Sequence, residues 1–305
     1  MYKYKLLEHL GSGAFGEVHK AVEFSTNKIV AIKKVGLCLD CSAVTEIMTL
    51  QISGAHNNVV QYIEYFTDQY GMYIVLEYCH FGSIDNFLKH NPSLDKNMRM
   101  GFLKDVSNGL AHIHGVNIVH RDLKPANILI DIRLVAKIAD FGFAKFLNSF
   151  DTTTTVEKYM KTVLGTYPYM APEVLQGHYD ANADIFSMGI IFCSILDDNL
   201  KEQIEKERIG EKMCIVQNYN YNVPPTIGPF MESLVTRMLQ KDYHQRPTAR
   251  DISQKLMQHV ACLCGCHMGL QPVCGWIFKP AISQAMQSLY NNAYMAMSIL
   301  ASMRR

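Results

Sequence analysis

The chain carries no excess of either charge. Its 305 residues hold 29 Lys+Arg against 28 Asp+Glu, a formal net charge of +1. Without a field of one sign, it is not expected to hold nucleic acid or an acidic lipid surface by electrostatics. It also lacks any uninterrupted apolar run near the ~18 residues that a spanning helix needs, so no transmembrane segment is expected. The opening "MYKYKLLEHL" has no long apolar stretch, and no signal peptide is read there. The nine cysteines follow no regular spacing. Disulfide-stapled secreted scaffolds are shorter and denser in cysteine, which points to reduced thiols and to the cytoplasm, the nucleus or both. No internal repeat is found. Charge also disappears locally: from Val260 to Met303 the only Asp, Glu, Lys or Arg is Lys279.

What is present is a 49% hydrophobic chain, enough for a sizeable core. Residues 1–35 read as strands: "YKLLEHL", a glycine stretch, "EVHKAVEF", the turn "STN", then "KIVAIKKV". "AVTEIMTLQI" suits a helix. "VVQYIEYF" and "MYIVLEY" read as two further strands around the polar turn "TDQYG". From Cys79 the periodicity becomes helical, in "SIDNFLKH", "MRMGFLKDVSNGLAHIHG", "ADIFSMGIIFCSIL" and "FMESLVTRMLQ". Residues 143–170 form a long polar connection, a length that is usually functional or disordered.

Four stretches concentrate chemistry. "GSGAFGEV" sets Gly11, Gly13 and Gly16 in a G-x-G-x-x-G-x-V pattern. A strand-like segment follows it rather than a helix, so the loop folds as a flap that lets backbone approach phosphate. Alone it is equally a glycine-rich hairpin. "VAIK" ends in Lys33, a point charge for phosphate, and Glu46 is the better placed of two nearby acids to fix its ammonium. "HRDLKPAN" packs His120, Arg121, Asp122, Lys124 and Asn127 between apolar ends. It is either a catalytic loop or an exposed polar turn. "DFG" puts Asp140 at the end of the apolar "VAKIA". A carboxylate there is costly unless paired or on a metal. Asp140 and Asn127 supply two oxygens of the kind Mg²⁺ favours.

These stretches, with "APE" at Ala171–Glu173, occur in one order, and from Tyr4 to Met257 the chain resembles a eukaryotic protein kinase. The resemblance implies a two-lobed α+β fold. The antiparallel-sheet N-lobe would span residues 1–78 and the mainly helical C-lobe residues 79–257, followed by a Cys/Met-rich tail at 258–305. It implies ATP and Mg²⁺ as cofactors and protein Ser/Thr hydroxyls as substrate. Asp122 would be the catalytic base, Lys124 would steady the γ-phosphoryl charge, and Asn127 and Asp140 would hold metal. Lys33 would reach the α- and β-phosphates, fixed by Glu46. The nucleotide would lie among Leu10, Gly11, Gly13, Gly16, Val18, Ala31, Leu129 and the backbone of Glu77 and Cys79, with Leu76 as gatekeeper. His120 would pack beneath Phe141, Asp184 would brace the catalytic loop, and Glu173 would pair with Arg246. Lys124 in "DLKPAN" and Thr166 in "GTYPYMAPE" resemble the serine/threonine branch. Thr162, four residues earlier, is the expected activating phosphosite, its phosphate bonded by Arg121. The block Gly165–Ile191 is most similar to the PDZ-LIM-interacting kinase group.

Some positions depart from the pattern. The Lys33–Glu46 separation is short, Ser83 stands where an acid often bonds ribose, and Phe186 replaces a common tryptophan. None removes a catalytic group, which separates an active enzyme from the alternative, a pseudokinase scaffold. "CLDC" at Cys38–Cys41 reads as a loop of free thiols. Cys262, Cys264, Cys266, His267 and Cys274 admit metal binding, acylation or reduced packing thiols, and their alternation fits zinc pairs less well. From about residue 281 the tail reads as a helix. Met286, Leu289, Ala293, Ala296, Leu300 and Met303 form its apolar seam, which would dock on the kinase domain, on a partner or on a membrane surface.

Overall fold

The computed structural model describes residues 3–13, 16–35, 41–146, 169–176, 179–197, 223 and 225–263. The first 77 residues build a five-stranded antiparallel sheet in the order β1-β2-β3-β5-β4. Its strands are β1 (Tyr4–Gly13), β2 (Gly16–Glu23), β3 (Ile29–Val35), β4 (Tyr62–Asp68) and β5 (Gly71–Glu77). Helix α1 (Cys41–Ser53) enters between β3 and β4. The period-2 alternation of strands decides what faces what. Val30, Ile32, Tyr73 and Val75 pack on one side with Tyr4 and Ala21. Val35 and Ile74 turn the other way, toward Ala43, Ile47 and Leu50 of α1. The same alternation puts Ala31 and Lys33 on the α1 side of β3.

Below the sheet lie α2 (Ile84–His90), α3 (Lys96–Gly115), α4 (Ala181–Leu196), α5 (Pro229–Met238) and α6 (Ala249–Leu263). Asp95 caps α3 by accepting from the backbone N–H groups of Asn97 (2.8 Å) and Met98 (3.1 Å). Phe102, Leu103, Val106, Leu110 and Ile113 of α3 are buried together with Ile185, Met188, Ile191 and Phe192 of α4. Four short strands, forming two antiparallel pairs, lie between α3 and α4 in the chain. β6 (Ile118–Val119) pairs with β9 (Lys145–Phe146), and β7 (Ile128–Ile130) pairs with β8 (Ala136–Ile138). Helix α6 continues past Met257 to Leu263.

Two junctions tie the halves together. The segment after α1 reaches the C-lobe, where Ile138 N–H donates to Asn58 O and Val60 N–H donates to Ile138 O, both at 2.9 Å. This is why β4 starts at Tyr62 and not at Val59, as the residue alternation suggests: Val59 bridges to Ile138 instead. Helix α3 admits the close approach only because residue 109 is glycine. A Cβ there would lie 2.4 Å from Asn58 O.

Candidate active site

The glycine loop closes the hairpin of β1 and β2, with Gly13 opposite Gly16. Gly16 has φ +133°, and a Cβ on it would stand 2.0 Å from Lys34 O, so the fold itself demands glycine there. A Cβ at Gly11 or Gly13 would meet nothing within 4 Å. Packing therefore gives no reason for those two, whereas close passage of a phosphate over the backbone does. Below the loop, Ala31 is buried, Val18 and Leu129 are half-buried, and Leu10 is exposed. Leu129 and Leu76 pack around Val60, Cys79 and Ala139, forming an apolar floor. Burial pushes the Cys79 thiol up to about 12, so it is an inert wall rather than a nucleophile.

Strand β3 delivers Lys33 and helix α1 delivers Glu46 to one buried point. Lys33 Nζ lies 2.7 and 2.8 Å from the two Glu46 carboxylate oxygens and 2.9 Å from Asp140 Oδ1. The short spacing between Lys33 and Glu46 thus closes without difficulty. Burial opposes the charge on Lys33, but Glu46 and Asp140 outweigh it and hold its pKa above the ordinary lysine value. Burial likewise opposes the Asp140 carboxylate, while Lys33, by charge and hydrogen bond, brings it below its usual range.

The polar stretch after β6 is wound tightly around Asp122, which is 2% exposed. Asp122 Oδ2 accepts from Lys124 Nζ at 2.7 Å and from Asn127 Nδ2 at 3.0 Å. Asn127 Nδ2 also donates to the Asp122 carbonyl at 2.8 Å. Asp122 Oδ1 is buried and has no hydrogen-bond partner among the described residues. An unmatched buried acceptor is expensive, so it marks a place where a donor is meant to arrive. The Asn127 carbonyl accepts from Ala139 N–H at 2.9 Å, tying the loop to the residue before Asp140.

Asp184, fully buried at the start of α4, holds the loop from behind. It accepts from His120 N–H (2.8 Å), Arg121 N–H (2.9 Å) and His114 Nε2 (2.9 Å). His120 Nε2 donates to Ala139 O at 3.0 Å, and its Nδ1 accepts from Asp122 N–H at 3.3 Å. With both nitrogens engaged and its ring centroid 5.1 Å from that of Phe141, His120 is a packing residue. Arg121 and Asp140 both sit at positive φ, 70° and 64°, a conformation uncommon outside glycine. Such strain persists where the surroundings over-determine it, as these bonds do. The Arg121 guanidinium lies 5.0 Å over the Tyr179 ring. Arg246 grips Glu173 with two bonds, one of them at 2.9 Å, and donates to the carbonyls of Gln240 and Asn182. It also rests 5.1 Å over Phe186, the aromatic that stands in for tryptophan.

The structure therefore brings together Lys33, Glu46, Asp122, Lys124, Asn127 and Asp140. Thr162, Thr166, Cys38 and the 264–305 tail lie outside the described residues, as do the side chains of Cys262, Cys264, Cys266, His267 and Cys274. One participant was missed in the sequence. Lys137, in "VAKIA", is buried and lies 2.9 Å from Glu77 Oε1. The same oxygen accepts from Gln61 N–H at 2.7 Å. The available signal was a lone cation inside an apolar run, which needs an acid somewhere.

Residues 4–259 match the family model described as the protein kinase domain. The chain is 30% identical over 257 residues to MAP3K epsilon protein kinase 1 of Arabidopsis thaliana, covering 82% of this chain and 18% of that protein. Over 262 residues it is 30% identical to serine/threonine-protein kinase atg1 of Dictyostelium discoideum, covering 81% of this chain and 38% of that protein. Serine/threonine-protein kinase cds1 of Schizosaccharomyces pombe is 36% identical over 209 residues, 63% of this chain and 44% of that protein. The chain thus spans less than half the length of each of these relatives. It belongs to the eukaryotic protein kinase family and carries that family's two-lobed fold. No helix among the described residues is long and apolar enough to cross a membrane.

Proposed function

We propose that this chain transfers the γ-phosphoryl group of ATP to serine and threonine hydroxyls of proteins. The observation that carries the reading is the Asp122 carboxylate: one oxygen is held by Lys124 and Asn127, the other is buried with no partner among the described residues. A substrate hydroxyl donating to Oδ1 satisfies that atom and is oriented for attack. The hydroxyl oxygen bonds the γ-phosphorus as the bridge to the β-phosphate breaks, and the proton passes to Asp122. Lys124, beside Asp122, steadies charge on the transferring group, and Lys33 steadies the α- and β-phosphates. The adenine lies among Leu10, Val18, Ala31 and Leu129, bonded by the backbone of Glu77 and Cys79. Thr166, outside the described residues, belongs to this proposal through the motif "GTYPYMAPE" alone.

Mg²⁺ fits the donor set. Among the described residues no three His, Cys, Asp or Glu side chains gather as a ready metal cage. The amide oxygen of Asn127 and the carboxylate of Asp140 are two hard oxygens, and Mg²⁺ is held by one or two such groups plus substrate phosphates. When bound, the ion neutralises charge building on the β- and γ-phosphate oxygens. The scaffold alternative has no observation in its favour, since Lys33, Glu46, Asp122, Lys124, Asn127 and Asp140 are all present. Reduced, buried Cys79 and Cys193 accord with the cytoplasm or nucleus. The likeness to PDZ-LIM-interacting kinases and an activating phosphate on Thr162 belong to the same proposal.

The test is a radiolabelled-ATP assay of purified protein on a degenerate Ser/Thr peptide library. Wild type is expected to label it. Asp122→Asn is expected to lose at least about 100-fold in kcat while still binding nucleotide. Turnover by that variant at the wild-type rate overturns the assignment.

A further inference from the structure

Helix α1 has an outer surface unlike that of a helix facing water. Of its 13 residues only Glu46 is charged, and that carboxylate is turned inward onto Lys33. Val44, Met48 and Ile52 stand at successive i, i+4 positions and are 43%, 49% and 49% exposed. Gln51, the polar neighbour, donates to the Tyr62 hydroxyl at 3.5 Å. A surface helix ordinarily carries charge on its outer face, and one that is apolar all round is a buried helix. Here the inner face, with Ala43, Ile47 and Leu50, is already covered by the sheet and the C-lobe. The outer stripe is a second apolar face.

We propose that the stripe Val44–Met48–Ile52 is the docking site of this chain's own residues 282–303. Their seam of Met286, Leu289, Ala293, Ala296, Leu300 and Met303 is apolar at helical spacing, and the whole segment holds no charged residue. Two uncharged faces match each other, since neither asks for an ion pair that the other cannot give. Reach is not limiting. The 18 residues from 264 to 281 span up to about 60 Å when extended, and a domain of this size has a radius of gyration of about 18 Å. The starting point lies on connected ground. Helix α6 bonds α3 through Ser253 Oγ and Asn108 Oδ1, and α3 bonds the end of α1 through His112 Nε2 and Ser53 O, at 2.6 Å. Tethering on one chain raises the local concentration of the seam to the millimolar range, so a modest apolar contact suffices.

Hydrogen exchange on the full chain decides it. Leu289→Asp with Leu300→Asp is expected to speed exchange of the α1 amides at least about tenfold. Met48→Glu with Ile52→Glu, at exposed positions that leave folding intact, is expected to speed exchange across 282–303 in the same way. Sedimentation of the wild type is expected to show a monomer carrying this protection. Unchanged exchange in either arm overturns the proposal. So does protection that appears only as the protein dimerises, since a second copy is then the occupant.

Discussion

Asp105 shows how one residue couples burial to pH. It lies between α3 and β8, where its carboxylate accepts from Ala136 N–H at 3.1 Å. Burial pushes its pKa up to about 6, against the pull of that bond. The ordinary value is near 3.8, so between the two the folded protein binds more proton than the unfolded one. Stability from this group is therefore present at low pH and lost as pH rises from about 4 through 6. Two units correspond to about 3 kcal/mol, and partial exposure reduces this to about 1–3 kcal/mol. Asp105→Asn keeps an acceptor for Ala136 without the charge. It is expected to raise unfolding stability at pH 7.5 relative to wild type and to leave little difference near pH 4, as measured by denaturant titration at both. An equal effect at both pH values would show that desolvation of the carboxylate is not the cause.

Helix α3 separates local propensity from tertiary fit within one element. Gly101 and Gly109 both sit inside it, and alanine is favoured over glycine in a helix by about 1 kcal/mol. At Gly101 an added Cβ meets nothing within 4 Å, so Gly101→Ala is expected to stabilise by about 0.5–1 kcal/mol. At Gly109 the same atom meets Asn58 O at 2.4 Å, with the Ile138 side chain at 3.1 Å. Backbone cannot swing aside as a side chain end does, and overpacking of this kind costs about 1–3 kcal/mol or more. Gly109→Ala is expected to destabilise, and the two variants should move Tm in opposite directions in calorimetry. Two shifts of the same sign would refute the contact at Asn58. The contrast also marks what could be read in advance. The helix and its apolar spacing were legible in "MRMGFLKDVSNGLAHIHG", and so were the strands of the N-lobe. The meaning of Gly109, the departure of Val59 and Val60 from the sheet, and the Lys137–Glu77 pair were not. Each depends on a partner far along the chain, and local periodicity carries no information about such a partner. The site was legible for the opposite reason. Glycine loop, Lys33, Asp122, Asn127 and Asp140 are set by chemistry, and chemistry restricts residue type and order more than packing does.

For the whole molecule, the arrangement makes stability depend on nucleotide. Lys33 and Glu46 come from the N-lobe, Asp122, Asn127 and Asp140 from the C-lobe, and Lys33 forms a direct ion pair across them with Asp140. In the site proposed above, ATP bound among them would bridge both lobes and would bind only the folded chain. A ligand at 100 times its Kd then adds about 2.7 kcal/mol, which for a domain of this size is a rise in Tm of about 5–10 °C. Part of that rise should require Mg²⁺, because in the proposed site the phosphates would lie against Asp140 and Asn127 as well as Lys33, and without the ion carboxylate would face phosphate. Chelating Mg²⁺ is expected to shrink the shift in wild type. Asp140→Asn is expected to show the small shift with or without the ion. Asp122→Asn, whose loss falls on the substrate hydroxyl, is expected to keep both the full shift and its dependence on Mg²⁺. Thermal unfolding of the three proteins with ATP alone, ATP with Mg²⁺, and ATP with chelator distinguishes these outcomes. A full Mg²⁺-dependent shift in Asp140→Asn would remove that residue from the metal site.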